Sequence, residues 1–319
     1  MSHVTGDTRK NGVFRLVRPL CQKRNLRPWR NRGKWSITFS QEEVIGLRLF
    51  LSISAVLLGL GFLSLGQVVI NEVGWAGTAA SGYDEWIELY NNSPVEVDLT
   101  GWRLILGQRE IPLSGSIPPW GFFLLERTDD TTISDVQADL IYKRALPNTG
   151  IVLQLVDPAG VVVDTANGGA KEGWFAGDVG TAASMERISP ELPDSPVAWR
   201  TGTKGNAHDA KGREVYGTPG AENAARSLLL PLECSVPSSP LSGTVELSWE
   251  VRGDVEGIEV KIFVKTGTFW ELVAEDLPPT GTYALDTTGF PNGKILIALG
   301  AFDAGGPRGG VVVEGEIAN

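Results

Sequence analysis

Only two histidines, two cysteines and two methionines occur in 319 residues. After residue 66 a single histidine remains, His208, in a polar stretch of Gly, Asn and Asp. A hydrolytic triad needs a base held by a carboxylate beside a nucleophile, and His208 has neither a Gly-x-Ser-x-Gly elbow nor a serine neighbour in sequence. It reads as a solvated loop residue. One His and one Cys cannot furnish three or four zinc ligands, and no Gly-x-x-x-x-Gly-Lys-Ser/Thr phosphate cradle is present. Cys21 and Cys234 lie on opposite sides of a long apolar run, so no internal disulfide is expected; Cys234 reads as a buried small hydrophobe. The resulting expectation is a protein that is not an enzyme, with no catalytic, cofactor-binding or metal-binding residues.

Basic residues are also scarce, once the first 43 residues are set aside. Ten Lys or Arg precede the apolar run, from Arg9 to Lys34, against Asp7, Glu42 and Glu43. Arg48 lies inside the run, which leaves 17 bases against 35 acids downstream and a net charge near -18 for the main body. A body of that sign has no basic stripe to release counterions from a phosphate backbone, so no nucleic-acid partner is expected. Residues 1–43 read as a basic, poorly ordered cytoplasmic region lying on anionic lipid, Trp29 and Trp35 included.

Residues 44–66 form the apolar run, and Leu49 to Leu65 carries no charge. That length is short for crossing about 30 Å of hydrocarbon and long for a signal-peptide core. The basic flank precedes it, so the amino end stays cytoplasmic and everything after Gly66 is exported. Ser64-Leu65-Gly66 has the small-x-small spacing of a signal peptidase site, and a strand beginning at Val68 leaves no linker to a bilayer. A cleaved signal and a single membrane-spanning anchor both remain open.

From Val68 on, short β-rich runs alternate with turn residues. The sequence predicts strands at 68–73, 86–91, 102–106, 121–126, 140–143, 151–156, 161–165 and 184–188, the pattern of an antiparallel sandwich. Asp84-Glu85-Trp86-Ile87-Glu88-Leu89-Tyr90-Asn91 is the organising stretch, with Ile87 and Leu89 on one face and Glu88 and Tyr90 on the other, a half-buried strand. Gly101 is placed for a positive φ at a corner, and Asp157-Pro158-Ala159-Gly160 for a hairpin loop.

Val68 to Val73, Asp84 to Asn91 and Val97-Asp98-Leu99-Thr100-Gly101-Trp102 resemble successive motifs of the lamin tail domain family. So do Pro118 to Leu125, Leu146-Pro147-Asn148-Thr149-Gly150, Ser184-Met185-Glu186-Arg187, and Thr218-Pro219-Gly220 with Asn223. The resemblance implies an immunoglobulin-like interaction module, of a kind found in exported bacterial proteins and sometimes fused to hydrolases. No fused hydrolase or heptad rod accompanies it here, so a nuclear filament role is not supported.

The first sandwich is assigned to residues 67–226 and a second to 227–319, joined by a proline-rich connector. In the second, Val245, Leu247 and Trp249 alternate, with Trp249 placed to plug a small core. Leu285 to Gly293 resembles a motif of fibronectin-III-like and Ig-like modules. The fold class expected is therefore all-β, two immunoglobulin-like sandwiches after an N-terminal signal or transmembrane helix.

Two groups deserve a chemical reading. Trp174 and Phe175, in the Gly-rich insert 166–183, are either a glycan or protein contact or a lid folded back on the sandwich. Glu72, Asp84, Glu85 and Glu88 could hold calcium, but alternation puts Glu85 and Glu88 on opposite faces, and the acids are expected to cap turns and pair with Arg103 or Arg187. The function expected is a non-catalytic adhesion or scaffold protein, extracellular or at the cell surface, binding a protein or glycan. The alternative is an accessory module of an extracellular hydrolase system with a calcium-binding acidic cluster.

Overall fold

A computed structural model describes the chain over residues 68–319, all within one compact unit, Phe62–Asn319. The basic region 1–43, the apolar run 44–66 and Cys21 lie outside the described residues. Among those described no helix is long and apolar enough to cross a membrane.

The first sandwich begins with β1 (Val68–Gly74), β2 (Trp86–Asn91), β3 (Val97–Asp98), β4 (Arg103–Leu106), β5 (Arg109–Pro112), β6 (Ser116–Ile117) and β7 (Phe122–Arg127). It continues with β8 (Leu140–Tyr142), β9 (Leu153–Val156), β10 (Val162–Ala166), β11 (Met185–Arg187), β12 (Trp199–Thr201), β13 (Lys204–His208) and β14 (Glu214–Tyr216). One sheet has the order β12-β11-β1-β2-β7-β8 and faces a second, β10-β9-β4-β5. Ile70, Ile87, Leu89, Leu104, Phe123 and Leu155 fill the space between them. Pairing is antiparallel except for β7 with β8, which run parallel after a crossover loop. Gly101 and Gly160 both take positive φ, 84° and 85°, and Gly160 closes the β9–β10 hairpin.

The half-buried reading of Trp86–Asn91 is corrected by the fold: all six residues are buried. Ile87 and Leu89 face the opposing sheet, while Trp86 packs with Leu124, Ile133, Ala207 and Val215 on the other side. The β13–β14 hairpin and the following turn thus roof the outer face of the large sheet, making a third layer. Gly74 and Gly217 admit the Trp86 indole, since a Cβ on Gly74 would lie 2.1 Å from Nε1 and one on Gly217 2.9 Å from Cζ2.

The second sandwich comprises β15 (Leu232–Ser235), β16 (Thr244–Val251), β17 (Glu259–Lys265), β18 (Glu271–Leu277), β19 (Thr280–Asp286), β20 (Gly293–Asp303) and β21 (Gly306–Ile317). Sheet β15-β16-β19 faces β18-β17-β20-β21. Trp249 sits in the core between them and donates Nε1–H to the Pro278 carbonyl at 2.9 Å. Cys234 is a free, half-buried thiol on an edge strand against this core, and burial pushes its pKa up.

The two sandwiches are locked together. Arg200 on β12 reaches Asp303 at 2.7 Å and the Gly306 carbonyl at 2.9 Å, while Val197, Trp270 and Ala298 form a shared apolar cluster. Gly300 lets Val197 approach, because a Cβ there would come within 2.6 Å of its Cγ1. Gly300→Val is expected to cost about 1–3 kcal/mol by overpacking and to loosen the junction while leaving both cores folded. Limited proteolysis reads this as new cleavage in the connector around Leu229; an unchanged digest would argue against it.

Candidate functional site

A β-bulge sets the polar geometry of the large sheet. The β1–β2 register shifts between Ile70 and Glu72, so Val68, Ile70 and Val73 all face the core and Asn71 and Glu72 both face outward. Glu88 on β2 and Glu186 on β11 are the direct cross-strand neighbours of Glu72. Three glutamates therefore lie side by side across three strands, and all are buried under the segment 217–225.

The oxygens of Glu72 and Glu88 are taken by hydrogen bonds, as is one oxygen of Glu186, whose Oε1 is buried with no hydrogen-bond partner. Glu72 accepts from Ser184 Oγ at 2.5 Å, Thr218 N at 3.0 Å and Thr218 Oγ1 at 2.9 Å. Glu88 accepts from Asn71 Nδ2 at 2.8 Å and Gly220 N at 2.5 Å, and Glu186 from Ala225 N at 2.9 Å. Asn223 cross-links the layer, donating to the Asn71 and Arg187 carbonyls and accepting from Asn71 Nδ2. Burial raises all three carboxyl pKa values, Glu88 to about 8 and Glu72 well above its ordinary range, with Glu186 adding repulsion to both. The Gly220 and Asn71 donors pull Glu88 the other way, but desolvation outweighs them.

The expected partners Arg103 and Arg187 are elsewhere. Arg103 pairs with Glu110, and Arg187 is fully buried on the core side with Asp164 at 2.7 Å. Glu85 pairs instead with Arg127 at 2.8 Å and takes the Leu146 N–H, on the face opposite Glu88. Asp84 accepts from Thr78 Oγ1. The four acids do not converge, and among the described residues no group of three or more His, Cys, Asp or Glu is arranged to hold a metal ion. Glu186 was missed as a member of the row; its signal was the alternation of Ser184-Met185-Glu186-Arg187, which sends Ser184 and Glu186 outward and Met185 into the core.

His208 is exposed, with Nδ1 2.6 Å from Asp135 Oδ2, which raises its pKa. The nearby Ser134 Oγ donates to the His208 backbone carbonyl and makes no bond to the ring, so no nucleophile is poised. Trp174 folds back: it stacks on Trp75 at 5.8 Å and 6°, and its Nε1–H donates to the Pro147 carbonyl.

A concavity lies at the junction of the two sandwiches. A cleft of about 710 Å³ is bounded by Val152, Gln154 and Val162 on one side, the 190–194 loop at its end, and Lys265 and Thr268 on the other. Asp194 builds that loop by accepting from Thr165 Oγ1, Asn167 N, Gly168 N and Trp199 Nε1. Lys265 spans the junction, donating to the Gly168 carbonyl at 3.2 Å with its Nζ 5.7 Å from the Trp270 ring centre. The lining mixes Val and Leu side chains with four charged ones, Asp164, Glu191, Asp194 and Lys265, and includes no aromatic ring.

No curated protein matches the chain. Among solved structures, the endo-beta-1,4-mannanase from Thermotoga petrophila is similar at 19% identity, over 28% of this chain and 20% of that one, with a TM-score of 0.22. The chain thus spans a fifth of that enzyme's length, and a likeness so slight carries no argument about fold or activity. Residues 64–169 match the family model described as Lamin Tail Domain, which covers the strands from β1 to β10. Over residues 64–169 the first sandwich is a lamin tail domain.

Proposed function

We propose that the chain is a non-catalytic scaffold, exported or attached to the cell surface, that takes a protein partner in the cleft between its sandwiches. The observation that carries this reading is the locked junction. Arg200 to Asp303, Lys265 to Gly168 and the Trp270 N–H to the Gly169 carbonyl hold the cleft walls in place without a ligand. A preformed concavity at a domain junction is a common site of recognition. Its walls combine aliphatic and charged side chains and offer no aromatic face for a sugar ring to stack on, so the protein arm is preferred over the glycan arm. The calcium-dependent accessory reading has less support, because Glu72 and Glu88 are buried and already satisfied by N–H and O–H donors.

Affinity capture from cell envelopes, with wild type beside Val162→Arg, tests the proposal. Val162 is exposed on the edge strand β10, so the variant keeps its fold. A partner enriched by the wild type is expected to fall about tenfold or more with the variant, as for a central interface anchor. Equal enrichment by both would place any partner elsewhere.

A further inference from the structure

Pro94, Val95, Pro118, Pro119 and Trp120 are all exposed and belong to two loops at one end of the first sandwich. Val95 is 61% and Trp120 53% exposed, although an apolar cluster containing a tryptophan is ordinarily covered. The loops are pinned to each other. Trp120 N donates to the Ser93 carbonyl at 3.1 Å, and Asn91 Nδ2 reaches the carbonyls of Val95 at 2.7 Å and Pro118 at 3.0 Å. Gly121 N closes the turn onto the Pro118 carbonyl at 3.0 Å. Trp120 has φ 54°, a left-handed backbone unusual for a bulky residue, which persists because these bonds determine the turn. The fold thus holds an indole outward on a turn fixed by these backbone bonds.

The position of this tip relative to the chain gives the occupant. Asn91, whose side chain ties the two loops together, is the cross-strand partner of Val68, the first residue of β1. The charge-free stretch Leu49–Leu65 ends three residues before Val68. Three residues span at most about 10 Å even when fully extended. The end of the sandwich that carries Val68 also carries the Val95 and Trp120 loops, so both stay within reach of wherever that stretch ends.

We propose that the Pro94–Val95 and Pro118–Trp120 tip rests in the headgroup zone of the bilayer that residues 49–65 enter. The proposal rests on the surface-attached form of the reading above. The interfacial region adds about 5–8 Å to each side of the hydrocarbon, matching so short a tether. Tryptophan is the side chain enriched there, its ring body apolar and its N–H left in contact with water and headgroups. No residue of 93–95 or 118–120 is charged, so inserting them desolvates no ion; Glu96 is the flanking acid. The missing linker after the apolar run, which counted toward cleavage, is on this account what brings the tip to its surface.

The test uses the full chain reconstituted into vesicles of phosphatidylcholine and phosphatidylglycerol with brominated acyl chains, comparing wild type with Trp120→Gly. Glycine accepts the left-handed backbone, so the variant is expected to keep or raise the thermal midpoint and to report on the membrane contact alone. Any quenching of Trp29 and Trp35 is common to both proteins. The wild type is expected to show additional bromolipid quenching worth roughly one of its ten tryptophans, absent from Trp120→Gly. Equal quenching in the two proteins overturns the proposal. Failure of the chain to float with vesicles removes the anchor reading; soluble protein mixed with the same vesicles then decides the tip, which stands if Trp120-dependent quenching persists and falls if it does not. Protection of Trp120 from aqueous iodide by an envelope protein fraction but not by vesicles would make the tip a protein-docking surface and overturn the membrane assignment.

Discussion

Arg187→Met is expected to destabilise the protein by about 3–5 kcal/mol, the range for removing one partner of a buried ion pair. Arg187 is fully buried and its guanidinium is shared among four acceptors: the Ile70 carbonyl at 2.8 Å, the Leu192 carbonyl at 2.8 Å, Asp164 Oδ2 at 2.7 Å and the Thr165 carbonyl at 2.9 Å. It also lies 4.4 Å from the centre of the Trp199 ring. One side chain therefore joins β1, β10, β11, β12 and the loop at the end of the cleft. Burial already pushes Asp164 up to about 6 against the pull of Arg187, so without the guanidinium this carboxyl takes up a proton or destabilises the fold. Methionine fills the volume but leaves three carbonyls without their donor. Lysine, lacking a planar fork, can serve only part of the set and should fall between wild type and methionine. Urea denaturation at pH 7 measures the loss, and Arg187→Met/Asp164→Asn should recover part of it because the uncompensated charge is gone. An Arg187→Met protein within 1 kcal/mol of wild type would show that the pair is a bystander.

The second large effect is a loss of stability with rising pH. Glu88 and Glu72 have folded-state pKa values raised above the unfolded one, Glu88 to about 8. Between about 4.5 and 8 the unfolded chain has released these protons while the folded chain keeps them, so the folded state binds more protons and its stability falls as pH rises. For Glu88 alone the drop across that window is on the order of 5 kcal/mol, and above it the curve flattens. Around the row, Glu186 and Asp139 add repulsion, and Arg200 is the cation facing it, through Glu186. Burial pushes Glu126 up to about 7 and Asp164 up to about 6, so both add to the loss in the same direction within this window. His208, whose pKa is raised by Asp135, acts in the same direction and is controlled by His208→Gln. Chemical denaturation at pH 5, 7 and 9 should give steadily decreasing stability. Glu72→Gln keeps its acceptor for Ser184 and can donate to Thr218 Oγ1, so it should raise stability at pH 9 and reduce the slope. Stability that climbs from pH 5 to pH 9 would refute the protonated row.

The buried row also shows where sequence reasoning stopped. Alternation in Trp86–Asn91 correctly separates Ile87 and Leu89 from Glu88, and Glu85 from Glu88. It takes the polar face to be the wet one, and that inference failed, because a segment more than a hundred residues downstream covers it. The bulge at Asn71 was likewise hidden, since strict alternation would have put Glu72 on the same side as Ile70. Strands β5 and β21 were missed for a related reason: Pro112 and Gly306, Gly309 and Gly310 are poor strand formers by themselves, and only the neighbouring strand supplies the pairing that makes them extended.

Local chemistry by itself determined the fold class of this protein: turn glycines at 101 and 160 and period-two apolar runs specify an all-β sandwich, because strand pattern and turn conformation are short-range properties of the chain, while the lamin tail assignment came from the resemblance of its ordered motifs and the family match over residues 64–169. Which carboxylates lose their water, which arginine holds the sheets together, and where a cleft and an exposed tryptophan stand were decided only by tertiary structure. Desolvation, ion pairing and concavity depend on groups brought together from 20 to more than 100 residues apart, and no local pattern encodes that meeting.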